Sequence, residues 1–224
     1  MIRGRACRQS GQSLVEFTIV FPTLLLLILG VVQFALIFVA KVTLNQAAFY
    51  GVRDGTLNNA SRIAIHAGLA RGLAPLYQDT VNLGGQNVVA LEAARAEALL
   101  DVVNPFRLNL SILNPDARSF LDFGEMIEDE LGIPHLAIPN ARLLYDTRDV
   151  GTISRQTIQE ANLLKIRVTY CYDLIVPIVR ETIRGLFTGL LESGGIFNAE
   201  CYADGGIPIE ADATMLMQTP AYQL

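Results

Sequence analysis

The feature that most constrains this 224-residue chain is an uncharged, apolar stretch that runs from residue 17 to residue 40. As an α-helix it would extend over about 36 Å at about 1.5 Å per residue, enough to cross a hydrocarbon core of about 30 Å with some tilt. No second uncharged run of comparable length follows, since residues 174–179 are far too few. The sequence therefore predicts a single-pass membrane protein with an N-terminal anchor.

Charged residues on the two sides of this stretch predict its orientation. Arg3, Arg5 and Arg8 lie immediately before it, and Lys41 alone flanks its far end. Because Lys and Arg concentrate on the cytoplasmic side of membrane helices, we expect a cytoplasmic N-terminus and an extracytoplasmic C-terminal part. The competing interpretation is a removable secretory signal. Its apolar core should be shorter and should end in a small-x-small site, whereas residues 38–40 (FVA) place a bulky group there.

The part of the chain after the anchor has the composition of a globular domain. About 180 residues remain, which is enough to bury a core. The net charge of −5 is mild, and no basic stripe or block follows the anchor. Binding to nucleic acid therefore has no electrostatic support.

Cysteine positions agree with this topology. Cys7 precedes the anchor, on the reducing side, whereas Cys171 and Cys201 follow it. An even pair in an oxidising compartment predicts one disulfide, between Cys171 and Cys201. The alternative is that both serve as unpaired, small apolar residues.

The apolar helix is expected to continue beyond the membrane, since no helix breaker occurs before Gly51. Leu44, Ala48 and Val52 recur at four-residue spacing and form a stripe that can dock onto the domain. Pro22 lies inside the span, where it removes one backbone hydrogen bond and should kink or locally open the helix.

Periodicity and turn residues predict the elements of the domain. Helices are expected over residues 60–76, 88–103, 116–131 and 178–191, strands over 106–112, 142–145, 164–174 and 207–218, and a loop over 132–140. Asp116 is expected to cap the acidic helix that follows it. Together these elements predict the α+β class: a long N-terminal transmembrane helix that continues into a small domain of flanking helices and a mostly antiparallel sheet.

Residues with catalytic or metal-binding chemistry do not form a recognisable site. His66 and His135 each lack a Cys or His at ligand spacing. The acidic residues Glu125, Glu128, Asp129 and Glu130 could hold calcium, but a solvated helix face is the preferred interpretation because the spacing matches no known calcium loop. We therefore expect no metal, no cofactor and no enzymatic activity.

A short basic segment ends at Gly11, and Glu16 follows five residues later at the mouth of the apolar stretch. A charge in hydrocarbon costs at least a few kcal/mol, so an acid at this position is a functional candidate. The alternative is that Glu16 is an interfacial acid close to the lipid headgroups.

Four stretches carry a resemblance to a known family. They are residues 11–17 (GQSLVEF) with the apolar helix behind them, residues 46–53 (QAAFYGVR), residues 161–170 (ANLLKIRVTY) and residues 211–218 (ADATMLMQ). In this order they resemble the TadE/TadG-like family of the tight-adherence (Flp, type IVb) pilus system. The second stretch is similar to the Ala-Ala-x-x-Gly-x-Arg pattern that follows the membrane helix in that family.

The resemblance implies a pilin-like minor pilin or pseudopilin, made as a precursor in the bacterial inner membrane. A prepilin peptidase would cut between Gly11 and Gln12, and Glu16 would pair with the free N-terminal amine of a neighbouring subunit. Phe17 departs from the family, in which tyrosine is frequent at this position. The expected partners are membrane lipid, other pilins or pseudopilins, the prepilin peptidase and the pilus assembly machinery of the inner membrane.

The resemblance divides the chain into a basic leader (1–11), a transmembrane helix with its extension (12–53) and a periplasmic α+β domain (54–224). Two other functions stay open at this point. One is an uncleaved, membrane-anchored scaffold or binding module that recruits envelope components. The other is a pseudopilin of a type II secretion system, which shares the same processing logic.

Overall fold

The structure, a computed structural model, describes residues 12–77, 88–129, 131–176, 180–181 and 196–223. Its elements, in chain order, are α1 (Gln12–Leu57), α2 (Arg62–Leu73), a 3-10 turn (Ala74–Leu76), α3 (Val88–Val103), β1 (Leu108–Asn114), α4 (Ala117–Phe123), β2 (Glu125–Glu128), β3 (Pro134–Ile138), a second 3-10 turn (Leu143–Tyr145), α5 (Ile158–Ala161), β4 (Leu163–Asp173), α6 (Ile196–Ala203), β5 (Gly206–Leu216) and β6 (Ala221–Tyr222). A long apolar helix thus precedes a small domain of helices and antiparallel strands, and the predicted α+β class is confirmed.

The first helix, α1, is 46 residues long and continues without interruption through Pro22. It ends at Leu57, and Asn59 and Ala60 then take left-handed backbone conformations (φ of 54° and 61°) that reverse the chain into α2. The C-terminal segment of the chain completes this helix end, because the amides of Gln218 and Thr219 donate to the Thr56 carbonyl. The predicted extension of the apolar helix beyond its membrane-length part is confirmed.

Small residues let α1 and α2 approach closely. Gly51 and Gly55 of α1 face Leu69 and Ile65 of α2, and a Cβ atom on either glycine would come within 3 Å of those side chains. The predicted stripe of Leu44, Ala48 and Val52 is fully buried in the same core. Its expected role in docking the helix onto the domain is confirmed.

The larger sheet has the strand order β1-β4-β5, and both pairings are antiparallel. Its central strand, β4, alternates as predicted up to Val168: Leu164, Ile166 and Val168 are fully buried and belong to the core that includes the buried stripe of α1. Beyond Val168 the alternation is lost, because Thr169 and Cys171 on the other face are buried as well. In the register of the sheet, Ile166 lies between Ile112 of β1 and Ala213 of β5. The three strands expected near residues 106–112, 164–174 and 207–218 are confirmed.

The smaller sheet, with the order β2-β3-β6, corrects two predictions. The acidic helix expected over 116–131 ends at Phe123, because Gly124 takes an extended conformation and residues 125–128 form β2. The loop expected over 132–140 contains β3, which pairs with β2 and buries Ala137 and Ile138. Asp116 does cap α4, since its carboxylate accepts the Ser119 amide at 2.8 Å.

The short strand expected at residues 142–145 is also wrong. Arg142 has a left-handed backbone (φ 59°), and residues 143–145 form a 3-10 turn instead. The helix expected over residues 178–191 lies largely outside the described residues, of which Arg180 and Glu181 are helical. The basic leader, residues 1–11, lies outside them as well.

Candidate functional site

The candidate processing and assembly residues lie at the start of α1. Gly11 lies just outside the described residues, and Gln12 is the first residue of the helix. Glu16 is exposed on the second turn, with Phe17 beside it. Glu16 therefore lies four residues after Gln12, the new N-terminus that cleavage after Gly11 would create, which is a rise of about 6 Å between their Cα atoms.

The next turns of α1 expose apolar side chains on every side. Those of Val15, Phe17, Ile19, Val20, Phe21, Leu24, Leu25, Leu26, Leu27 and Ile28 are all exposed. A globular protein in water rarely leaves so continuous an apolar surface uncovered. The helix from Val15 to Leu57 has a mean hydropathy of 2.7 in its most apolar part, and it is long and apolar enough to cross a membrane.

Polar groups within the apolar stretch are satisfied locally or buried. Thr23 donates its hydroxyl hydrogen to the Ile19 carbonyl one turn earlier, at 3.1 Å. Gln33 is 1 % exposed, and its Oε1 accepts the backbone amide of Val176 at 2.9 Å. The Gln33 amide nitrogen is buried without a hydrogen-bond partner in the part of the chain that the structure describes.

The buried contact of Gln33 with Val176 is not predicted by the sequence patterns. Gln33 was counted only as an uncharged member of the apolar run, although polar side chains inside a membrane helix usually face protein and make hydrogen bonds. The available signal for this contact is the side-chain amide of Gln33, because residues 17–40 otherwise contain only aliphatic, aromatic, threonine, glycine and proline residues.

The uncharged stretch of α1 ends at Ala40, and the next residue, Lys41, contacts the domain. The Lys41 ammonium donates to the Glu210 carbonyl of β5. Thr43 donates its hydroxyl hydrogen to the Val39 carbonyl at 2.9 Å, which satisfies that side chain within the helix. The first charge after the span therefore ties α1 to the edge strand of the larger sheet.

The residues of the Ala-Ala-x-x-Gly-x-Arg pattern serve helix packing. Ala47 and Ala48 are fully buried, and Gly51 lies against Leu69 of α2. Arg53 is exposed. The small residues of the pattern are thus explained by the close contact between α1 and α2.

Polar contacts hold the domain elements around this helix. Arg107 binds both oxygens of Asp173, at 3.0 and 2.7 Å, next to β4. Arg167 and Asp212 form a similar two-bond pair between β4 and β5, at 2.8 and 2.9 Å. The hydrogen bonds to Asp173 raise the pKa of Arg107, and those to Arg167 lower the pKa of Asp212.

Cys171, in β4, and Cys201, in α6, are joined by a disulfide with 5.6 Å between their Cα atoms. Both residues are buried, and Gly206 at the start of β5 packs directly against the two sulfur atoms. The bridge therefore connects α6 to the central strand of the larger sheet.

Two of the residues considered as metal ligands, His135 and Asp129, make structural contacts instead. His135 stacks on Tyr222, with ring centroids 4.6 Å apart, and its Nε2 lies 3.3 Å from Asp129. Asp129 accepts the amides of Leu131 and Ile133, and these hydrogen bonds lower its pKa. Within the described ranges, no group of three or more His, Cys, Asp or Glu side chains could hold a metal ion.

Comparison with known proteins finds a similarity in the N-terminal region. The model of the TadE-like protein family matches residues 11–53. The resemblance recognised in the sequence is thereby confirmed for the stretch that contains Gly11, Glu16 and the apolar part of α1. No curated protein and no solved structure matches the chain significantly.

Proposed function

We propose that this protein is a membrane-anchored minor pilin or pseudopilin that acts in the assembly of a tight-adherence (Flp, type IVb) pilus, with a structural and non-catalytic role. One observation carries the proposal: a single continuous match to the TadE-like family spans both candidate processing residues and the whole apolar part of α1. The arrangement of a long helix that continues into an α+β domain, which a pilin-like subunit would have, supports it.

The proposed location is the bacterial inner membrane. The helix crosses the membrane once, with the arginine-rich leader in the cytoplasm and the domain in the periplasm, as the charge asymmetry around residues 17–40 favours. An oxidising periplasm is also the compartment in which the Cys171–Cys201 disulfide persists. After processing, the subunit either stays in the membrane or is incorporated in a pilus.

Maturation is proposed to occur between Gly11 and Gln12, by a prepilin peptidase. The new amine of Gln12 and the carboxylate of Glu16 then both lie at the edge of the hydrocarbon, where an isolated charge is costly. Pairing between the amine of one subunit and the Glu16 carboxylate of a neighbouring pilin relieves both costs. Membrane lipid, other pilins or pseudopilins and the inner-membrane assembly machinery are the proposed partners.

Cleavage is tested with Gly11→Ala and the matched leader variant Gly4→Ala, expressed in the native host. N-terminal sequencing of the mature protein should begin at Gln12 for the unmodified chain and for Gly4→Ala. Gly11→Ala should accumulate as the longer precursor. An intact Met1 on the unmodified, assembled protein would favour the uncleaved scaffold instead.

The role of Glu16 is tested with Glu16→Gln, which keeps the shape of the side chain and removes its charge. We expect normal processing but loss of surface pili, counted by electron microscopy. Glu128→Gln, on the exposed edge of β2, is the control and should leave piliation unchanged. Normal piliation with Glu16→Gln would remove the pairing role. Whether the neighbouring secretin, ATPase and prepilin peptidase genes are those of a pilus or of a type II secretion system would identify the machine that the protein serves.

A further inference from the structure

The buried face of α1 begins well inside the apolar stretch. Leu29, Gly30, Leu36 and Ile37 are half-buried, and Gln33 and Ala40 are buried, at the three- and four-residue spacing of one helix face. The opposite face remains open: Phe34 is 71 % exposed. Protein therefore covers one side of the second half of the apolar stretch, while the other side is free to contact lipid.

The position of Gln33 along α1 sets the depth of this contact. Gln33 precedes Ala40, the last residue of the uncharged stretch, by seven residues, or about 10 Å along the helix axis. If the hydrocarbon core of about 30 Å starts at Phe17, an untilted helix leaves it near Leu36, about 4 Å beyond Gln33. With either boundary Gln33 lies inside the outer edge of the hydrocarbon.

The polypeptide that reaches this level follows β4. Asp173 ends the strand, Leu174 is buried, and the Val176 amide donates to Gln33 Oε1 at 2.9 Å. Ile175 lies between them and is 65 % exposed. Since consecutive Cα atoms are about 3.8 Å apart, the Cα of Ile175 lies one residue step from that of Val176, whose amide contacts the tip of the Gln33 side chain.

Backbone outside a helix or a closed sheet can enter hydrocarbon only where protein satisfies its polar groups. The Val176 amide is such a group, and the Gln33 side chain supplies its acceptor. The Val176 carbonyl is satisfied by the Arg180 amide, at 2.9 Å. An otherwise costly glutamine in the apolar helix and an exposed isoleucine in the domain thus have one common explanation.

We propose that residues 174–176 form a second membrane contact, in which Ile175 inserts among the lipid acyl chains of the leaflet nearer the domain while Gln33 holds the Val176 amide. The contact would fix the rotation and height of the domain relative to the bilayer. It rests on the part of the proposed function that places α1 in a membrane, and it is independent of cleavage and of the pilus.

The absence of tryptophan from the chain makes a direct test possible. Three single-tryptophan variants of the full-length protein are placed in phosphatidylcholine vesicles with and without bromine on the acyl chains: Ile175→Trp, Phe34→Trp and Leu144→Trp. Phe34 reports the depth of Gln33 on α1, and Leu144, 93 % exposed in the second 3-10 turn, reports the aqueous part of the domain. Quenching by brominated lipid and by aqueous iodide is compared.

We expect the fluorescence of Trp at positions 175 and 34 to be quenched by brominated lipid and protected from iodide, and that of Trp at position 144 to behave oppositely. Lipid quenching at position 34 without quenching at position 175 would overturn the second contact while the anchor stands. Absence of lipid quenching at position 34 would overturn the membrane placement of α1 and the second contact with it.

The role of Gln33 is tested in the Ile175→Trp background. Gln33→Met keeps the length of the side chain but removes the acceptor, so the ratio of inserted to displaced segment should fall about fivefold, as expected for one hydrogen bond worth about 1 kcal/mol. Gln46→Met, on an exposed part of the same helix, is the matched control and should leave the quenching unchanged. Equal lipid quenching in both variants would show that Gln33 does not hold the segment.

Discussion

Gly72 of α2 packs directly on Ala47 of α1, so closely that a Cβ atom at position 72 would overlap the Ala47 backbone. Gly68, one turn earlier in α2, meets the Tyr50 carbonyl and the Gly51 backbone in the same way. Backbone meets backbone at both points, and neither side can yield by changing a rotamer. The C-terminal part of α1 and helix α2 therefore behave as one rigid unit.

Gly72→Ala should destabilise the domain, because overpacking a tight core contact costs about 1 to 3 kcal/mol. For a domain of this size each kcal/mol lowers Tm by about 2 to 4 °C. Thermal unfolding in detergent, followed by circular dichroism, measures the shift. Gly30→Ala is the control, since among the described residues no atom outside the adjacent backbone of α1 lies within 4 Å of a Cβ at that position. Equal melting temperatures for the two variants would contradict the close packing.

A second prediction concerns Tyr77, which links α3 and β4 through hydrogen bonds of its hydroxyl group. Its hydroxyl donates to Asp101 Oδ2 at 2.6 Å and lies 2.8 Å from the Tyr170 hydroxyl. Tyr77→Phe should lower the free energy of unfolding by about 1 to 3 kcal/mol, because a hydrogen bond to a charged group is lost and its partners stay part-buried. Tyr145→Phe, at an exposed position, should change it by less than about 0.5 kcal/mol. Chemical denaturation at pH 7 measures the free energy of unfolding of both variants.

The same residue predicts a loss of stability in alkali. Burial, then the neighbouring Tyr170 and Asp101, raise the pKa of Tyr77 above its ordinary value of 10.0. A group whose pKa is raised by folding stabilises the protein fully below its unfolded pKa and loses that contribution as the pH rises beyond it. The stability difference between the unmodified protein and Tyr77→Phe should therefore shrink above about pH 10. A constant difference from pH 8 to 11 would contradict this assignment.

Local sequence patterns were sufficient wherever an element is long and its periodicity is uninterrupted. The structure gives α3 the predicted bounds, residues 88–103, and residues 164–168 of β4 alternate between buried and exposed as predicted. From Val168 to Tyr172 both faces of the strand are buried, and the disulfide to α6 lies at Cys171 on the second face. Periodicity therefore reports burial only where a single face is covered.

Predictions failed where an element or contact exists only through its pairing partner. The residues of β2 have no strong strand pattern, and Glu125 to Glu128 become a strand because β3 pairs with them. Residues 134–138 in turn gain a second neighbour, β6, from the far end of the chain. Gln33 was missed for the same reason: its acceptor role depends on Val176, 143 residues later.

A third prediction concerns the cap of α4. The Asp116 carboxylate accepts hydrogen bonds from the amide and the hydroxyl of Ser119, which lower its pKa, with the hydroxyl contact the largest contribution. Asp116→Ala should cost about 1 kcal/mol, and Asp116→Asn should retain most of the stability because asparagine also caps helices. Guanidinium unfolding at pH 7 measures both variants.

The pH dependence of the Asp116 contribution follows from its lowered pKa. Folding depresses this pKa, so the stabilisation is present above the unfolded value, about 3.9, and is lost as the pH falls through the folded value. The difference between the unmodified protein and Asp116→Ala should therefore decrease below about pH 4. A difference that grows with acidity would assign the effect to another interaction.

The disulfide between Cys171 and Cys201 gives the last prediction. The bridge closes a loop with a sequence separation of 30, and Cys171 lies in the central strand, which packs on α1. In the chain-entropy model a loop of this length contributes about 3 to 4 kcal/mol. Replacing both cysteines with serine should remove that contribution, measured as a lower midpoint of denaturant unfolding. Replacing only Cys7, in the predicted leader, is the control and should leave the midpoint unchanged. Alkylation of the denatured, unreduced protein should spare both Cys171 and Cys201, and two labelled thiols at these positions would contradict the pairing.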